Sequence, residues 1–137
     1  MYRITKDTKY LEQAQKIANF VLNHPNLPSD KIPYWDFDAP NIPNEERDSS
    51  AAAIMASALI ELSSYTSEEA SQNYKSTAKE ILNNLLTDKY LAKKGENGGF
   101  LLKHGVGHKP ENSEVDVPLS YGDYYLIEAM IRYKNSI

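Results

Sequence analysis

Two stretches of this chain gather side chains that can do chemistry. Trp35, Asp36, Asp38, Arg47, Asp48, Ser49 and Ser50 fall within YWDFDAPNIPNEERDSS, and Lys103, His104, His108, Lys109, Glu114, Asp116 and Asp123 fall within KHGVGHKPENSEVDVPLSYGD. Aromatic planes beside carboxylates and hydroxyls suit a sugar, whose ring faces are apolar and whose rim is all donors and acceptors. Trp35 is the natural stacking plane. Carboxylates in this number also permit general acid–base work, but so many acids single out no pair by spacing.

Each group has a structural reading beside the chemical one. Asp48, Ser49 and Ser50 stand directly ahead of an apolar run and are explained by helix capping alone. Trp35 serves equally as an aromatic plug over a bundle end. His104 and His108 invite a metal, yet glycines lie between them, so they share no helical face and complete no known ligand set. No metal or other cofactor is expected. GENGG and HGVG resemble phosphate loops in glycine content only, because no lysine–hydroxyl pair and no strand-to-helix context follows.

The elements that hold these groups are helical. Asp7 or Thr8 can cap a helix with apolar residues at Tyr10, Leu11, Ala14, Ile17, Ala18, Val21 and Leu22, a 3.6-residue period that ends before Pro25. A long loop with Pro28, Pro33, Pro40 and Pro43 follows to about Arg47, and its three large aromatics, Tyr34, Trp35 and Phe37, argue that it is ordered. From Ala51 to Leu62 the chain is apolar on almost every side, which predicts a helix buried nearly all round. Thr66 and Glu69 form a capping box for another amphipathic helix, with Ala70, Tyr74, Ala78, Ile81, Leu82 and Leu85 in one stripe. So short a link makes these two helices antiparallel neighbours. A second long connection, 88–119, carries five glycines and a brief strand at Phe100, Leu101 and Leu102. The last helix, Ser120 to Lys134, is aromatic and largely buried by its pattern.

Amphipathic and buried helices therefore alternate, and each long loop leads from an amphipathic one into a buried one. An outer ring of helices around an inner ring satisfies that alternation. The reading is an all-α fold, an α/α toroid, with residues 1–137 as a single domain forming a partial (α/α)6 barrel of about two helix pairs. Met1, Tyr2 and Ile4 read as the tail of an earlier helix. Both long loops lie at one end, above the N-termini of the buried helices, where free N–H groups favour a carboxylate-bearing ligand.

Composition narrows the partners. The 137 residues carry 15 basic and 19 acidic side chains, net charge −4, with no basic cluster, so nucleic acid is not an expected partner. No run spans a bilayer and no secretion signal is visible, so no membrane is expected and a cytoplasmic location fits. With no cysteine, disulfides and thiolate chemistry are excluded.

IPYWDFDAP, then RDSSAAAIMASALIELS, then GGFLLKHGVGHKPENSEVDVPLSYGDYYLIEAMIRY resemble the C-terminal part of glycoside hydrolase family 88, the unsaturated glucuronyl and unsaturated rhamnogalacturonyl hydrolases. MYRITKDTKYLEQAQKIANF resembles that family's helix leading to the first loop. The resemblance implies an (α/α)6 barrel acting without metal on lyase-generated oligosaccharides that carry a 4,5-unsaturated uronic acid at the non-reducing end. It implies hydration of the double bond: an aspartate protonates C4, water adds at C5, and the resulting hemiketal opens to release the sugar. It also implies that the catalytic aspartates lie upstream of what Met1 matches, so Asp36, Asp48, Asp116 and Asp123 do not take their place. What carries over is a pocket rim of Trp35, Asp36, Asp48, Ser49, Ser50, His104, His108 and Lys109, the second loop lying beside the leaving sugar. The expectation is a C-terminal piece with little or no activity alone, associating with itself or with a missing N-terminal half. The alternative is a non-catalytic carbohydrate-binding or assembly module.

Overall fold

The computed structural model describes residues 1–136. It is mostly helical: α1 (Tyr2–Thr5), α2 (Thr8–Leu22), α3 (Ser49–Ser63), α4 (Glu68–Leu85) and α5 (Ser120–Asn135), with two short strands, β1 (Gly105–His108) and β2 (Ser113–Val117). Side-chain caps set several starts. Asp7 accepts from Lys9 N–H ahead of α2, and Asp48 accepts from Ser50 N–H ahead of α3. At α4 the cap is Ser67, which accepts from Ala70 N–H, so the expected Thr66–Glu69 box sits one residue too early. Thr66 instead donates back to the Ser63 carbonyl, closing the turn from α3.

The core is the contact of α3 with α4 on one side and α5 on the other. Ala52, Ala53, Ala56, Leu59 and Ile60 of α3 meet Tyr74, Ala78, Ile81, Leu82 and Leu85 of α4 and Leu126 and Ala129 of α5, with Ile32, Tyr90 and Leu102 from the long loops closing the end. Fully burying a side chain such as Ile81 or Leu85 contributes about 1.5–3 kcal/mol. The alanines serve approach rather than area. A Cβ built on Gly122 of α5 would stand 3.1 Å from Ser50 Cβ, so the first turns of α3 and α5 nearly touch.

The helical expectation holds with one addition and two corrections. A small hairpin is added, because β1 and β2 pair antiparallel with Gly105 opposite Val117 and His108 opposite Ser113. Their alternation is hidden by a register irregularity after Gly105 and by left-handed Glu114 and Asp116 inside β2. The strand expected at Phe100 to Leu102 is a single bridge, Leu91 to Leu102. Finally, the helices read as buried nearly all round (α3) and largely buried (α5) have an open flank: Ile54 and Ala58 of α3, and Tyr124, Ile127 and Ile131 of α5, are exposed. Helix α2 lies loosely across that flank with no buried residue, leaving Ile17 and Phe20 in solvent.

Candidate functional site

The first long loop is ordered by its own ends. Residues on either side of the excursion pair: Asp48 N–H donates to Pro33 O (2.9 Å), Trp35 N–H to Glu46 O (3.0 Å), and Tyr34 bridges to Arg47. Arg47 lies over the Tyr34 ring at 5.0 Å, donates to Ile32 O and pairs with Asp30, whose carbonyl is held by Asn84 of α4. The guanidinium is thus spent inside the loop. Trp35, half-buried, donates its indole N–H to Glu45 (2.9 Å).

The second loop is pinned to the helices from the other side. Asp123, in the first turn of α5, accepts from both Leu101 N–H (2.7 Å) and Leu102 N–H (2.8 Å), which gives it a clamping role. Lys103 N–H donates to Tyr90 O, and His104 adopts a left-handed conformation with its ring edge-on to Tyr90.

The two loops then meet over the starts of α3 and α5. Ser49 N–H donates to His104 O (3.0 Å), and Ser49 Oγ donates to Lys103 O (2.7 Å). One oxygen of Asp48 accepts from Ser50 N–H, Ser50 Oγ and, across the gap, Val106 N–H of β1 (3.3 Å). Lys109 Nζ reaches Glu46 Oε2 at 2.5 Å. Asp48, Ser49, Ser50, His104 and Lys109 are therefore one connected cluster, and Trp35 joins it through the Glu46 backbone. Asp36 and His108 are exposed: Asp36 closes a turn by accepting from Asp38 N–H, and His108 ends β1 opposite Ser113.

Of the free N–H groups expected above both buried helices, two at α3 are already used, because the Asp48 carboxylate and the His104 carbonyl take Ser50 N–H and Ser49 N–H. At α5 the N-cap position is Leu119, which supplies no side-chain bond.

Electrostatics follow from these contacts. The Lys109 ammonium bonded to Glu46 holds that carboxyl below its ordinary 4.5, with its own backbone N–H adding to the effect. Burial pushes the Tyr121 phenol above its ordinary range; the neighbouring Ser50 hydroxyl opposes this, and the Asp48 and Glu114 carboxylates reinforce it. Tyr121, Glu45 and Glu46 are the site residues that sequence spacing missed. Tyr121 was legible only as one tyrosine among several in its helix. His104 Nδ1 lies 2.6 Å from Asp116 Oδ1 on the paired strand. Among the described residues no cluster of three or more His, Asp or Glu side chains could hold a metal ion, and no helix is long and apolar enough to cross a membrane.

No family model matches the chain. It is 47% identical over 136 residues to an unsaturated glucuronyl hydrolase of Formosa agariphila, covering 99% of this chain and 33% of that protein. The crystal structure of an unsaturated glucuronyl hydrolase specific for heparin superposes with a TM-score of 0.94 at 51% identity, over 98% of this chain and 36% of that one. The chain is the counterpart of the C-terminal third of the unsaturated glucuronyl hydrolases, glycoside hydrolase family 88. It matches their C-terminal part and spans about a third of the length of the curated relatives. A mutant of the Streptococcus agalactiae enzyme, solved in complex with dGlcA-GalNAc6S, superposes with a TM-score of 0.86 at 32% identity, over 96% of this chain and 35% of that one. The mostly helical fold is that of the family, so the end where the two loops join is the place to look for function.

Proposed function

We propose that this chain forms the C-terminal side of a sugar pocket in a glycoside hydrolase that removes a 4,5-unsaturated uronic acid from the non-reducing end of lyase-generated oligosaccharides. In that reaction an aspartate outside this chain protonates C4, water supplies a hydroxyl to C5, and the hemiketal so formed opens to free the leaving sugar. The chain is an arc of the helical barrel, and its two loops form part of the pocket rim. The observation carrying this reading is the fusion of both long loops over adjacent first turns of α3 and α5, through Ser49 to Lys103 and His104, Asp48 to Val106, and Glu46 to Lys109.

Within the rim the residues divide by how far their bonding capacity is used. Ser49 is 1% exposed and donates to Lys103 O, and Asp48 already receives three donors on one oxygen, so these two, with Ser50, shape the rim. Trp35 offers the stacking plane, with Asp36 beside it. His104, His108 and Lys109 face the leaving sugar.

By itself the chain lacks the catalytic aspartates that the family resemblance assigns upstream, and it turns over no substrate. Incubation with an unsaturated glucuronyl disaccharide, following loss of the double-bond absorbance, tests this; turnover at the rate of a full-length family member refutes it. A second reading, a non-catalytic carbohydrate-binding or assembly module, is favoured by the open flank, where a groove of about 600 Å³ runs between α1, α2, α3 and α5. Calorimetry with unsaturated and saturated uronides separates the readings: a binding module takes up sugar tightly by itself, whereas a rim awaiting its other half binds the unsaturated uronide weakly but measurably, through stacking on Trp35.

A further inference from the structure

The half-buried indole of Trp35 is held by an acceptor as well as by its packing. Its N–H donates to Glu45 Oε2 at 2.9 Å, while Glu45 Oε1 accepts Asn41 N–H at 3.2 Å and Asn41 Nδ2 at 3.0 Å. Three N–H groups thus converge on one carboxylate, and the two from Asn41 fix the carboxylate plane that fixes the ring. The peptide on the other side is tied as well, because Trp35 N–H donates to Glu46 O. A half-exposed indole without such an anchor samples several rotamers, and stacking on a sugar would have to select one at the moment of binding.

We propose that Glu45 is a positioning residue that presets the Trp35 ring plane for stacking on a sugar. The inference rests on the reading of this loop as a pocket rim. Glu45 touches no sugar itself; it acts through the indole. A glutamine here has a single acceptor oxygen and can serve the indole or Asn41 but not both, so the carboxylate is the side chain that satisfies the whole set.

Trp35 is the only tryptophan in the chain, so its fluorescence reports on this ring and no other. The test compares the wild-type chain with E45A and E45Q by indole emission, acrylamide quenching and titration with an unsaturated glucuronyl disaccharide, helical content being followed by circular dichroism. E45A is expected to keep its helices, to become more easily quenched, and to bind the disaccharide about three- to tenfold more weakly. E45Q is expected to fall between. An E45A chain with wild-type quenching, or with raised quenching and wild-type affinity, overturns the proposal. A wild-type emission indifferent to the disaccharide overturns the rim reading of Trp35 instead, and leaves Glu45 with no role toward a ligand.

Discussion

Asp48 serves two elements with one oxygen, capping α3 and accepting Val106 N–H from the hairpin. D48A is expected to cost about 0.5–2 kcal/mol by chemical denaturation, whereas D48N, which keeps an acceptor, retains most of the stability. The Glu46–Lys109 bridge adds a pH dependence. Because the folded-state pKa of Glu46 is depressed, its contribution is present above the ordinary carboxylate value of 4.5 and is lost as pH falls through the lower folded value. The pair is partly exposed, so the effect is a local loosening of the two loops. Amide protection factors in residues 44–47 and 105–109, which remove the intrinsic slowing of exchange by acid, are expected to fall on acidification below that range in the wild type, and to be already lowered and flat with pH in E46Q. At this scale the sequence was partly legible. An acid before an apolar run announced the caps at Asp7 and Asp48, but adjacent hydroxyls at Thr66 and Ser67 left the α4 start ambiguous by one residue. The Glu46–Lys109 pair is separated by 63 positions, and no spacing rule reaches that far.

Among the elements, α3 decides the architecture because it packs broadly on both α4 and α5, which touch each other far less, and small residues let it do so. G122V pushes a branched side chain into Ser50 and should lower stability by about 1–3 kcal/mol, read as a drop in melting temperature with helical content retained. L126A, at a position 1% exposed between α5 and α3, should cost about 2–5 kcal/mol. Helices α2 and α4 were visible beforehand because a 3.6-residue period repeated over 15–18 residues is a strong signal, and α3 because its run is long and apolar on almost every side. The hairpin was not, because its strands are four and five residues long, carry glycines, and hold Glu114 and Asp116 in left-handed conformations that break strict alternation. Gly105 was read as a loop glycine; a Cβ there would lie 2.8 Å from Val117 O, so it is a strand position that only glycine fills without displacement.

At the scale of the whole molecule, one end is closed and one flank is open. Loop fusion closes the end over α3 and α5, while Ile17, Ile54, Tyr124, Ile127 and Ile131 remain exposed, and a second groove of about 220 Å³ between α2 and α3 is walled almost wholly by apolar atoms. Amphipathic alternation reports what a helix can bury, not what is present to bury it: α5, apolar on most sides, buries only Gly122, Leu126 and Ala129, whereas amphipathic α4 buries Tyr74, Ala78, Ile81, Leu82 and Leu85 of its stripe. Apolar exposure on this scale favours association, so light scattering in the micromolar range is expected to show more than a monomer. On the reading proposed above, residues 1–137 form the C-terminal side of an unsaturated uronide pocket whose catalytic aspartates lie outside them. The most direct test follows the double-bond absorbance of an unsaturated glucuronyl disaccharide with this chain alone and with the N-terminal two-thirds of a family member added. No loss from the chain alone and clear loss from the mixture is the expected result. Loss from the chain alone, or none from a mixture in which the two polypeptides demonstrably associate, would contradict it.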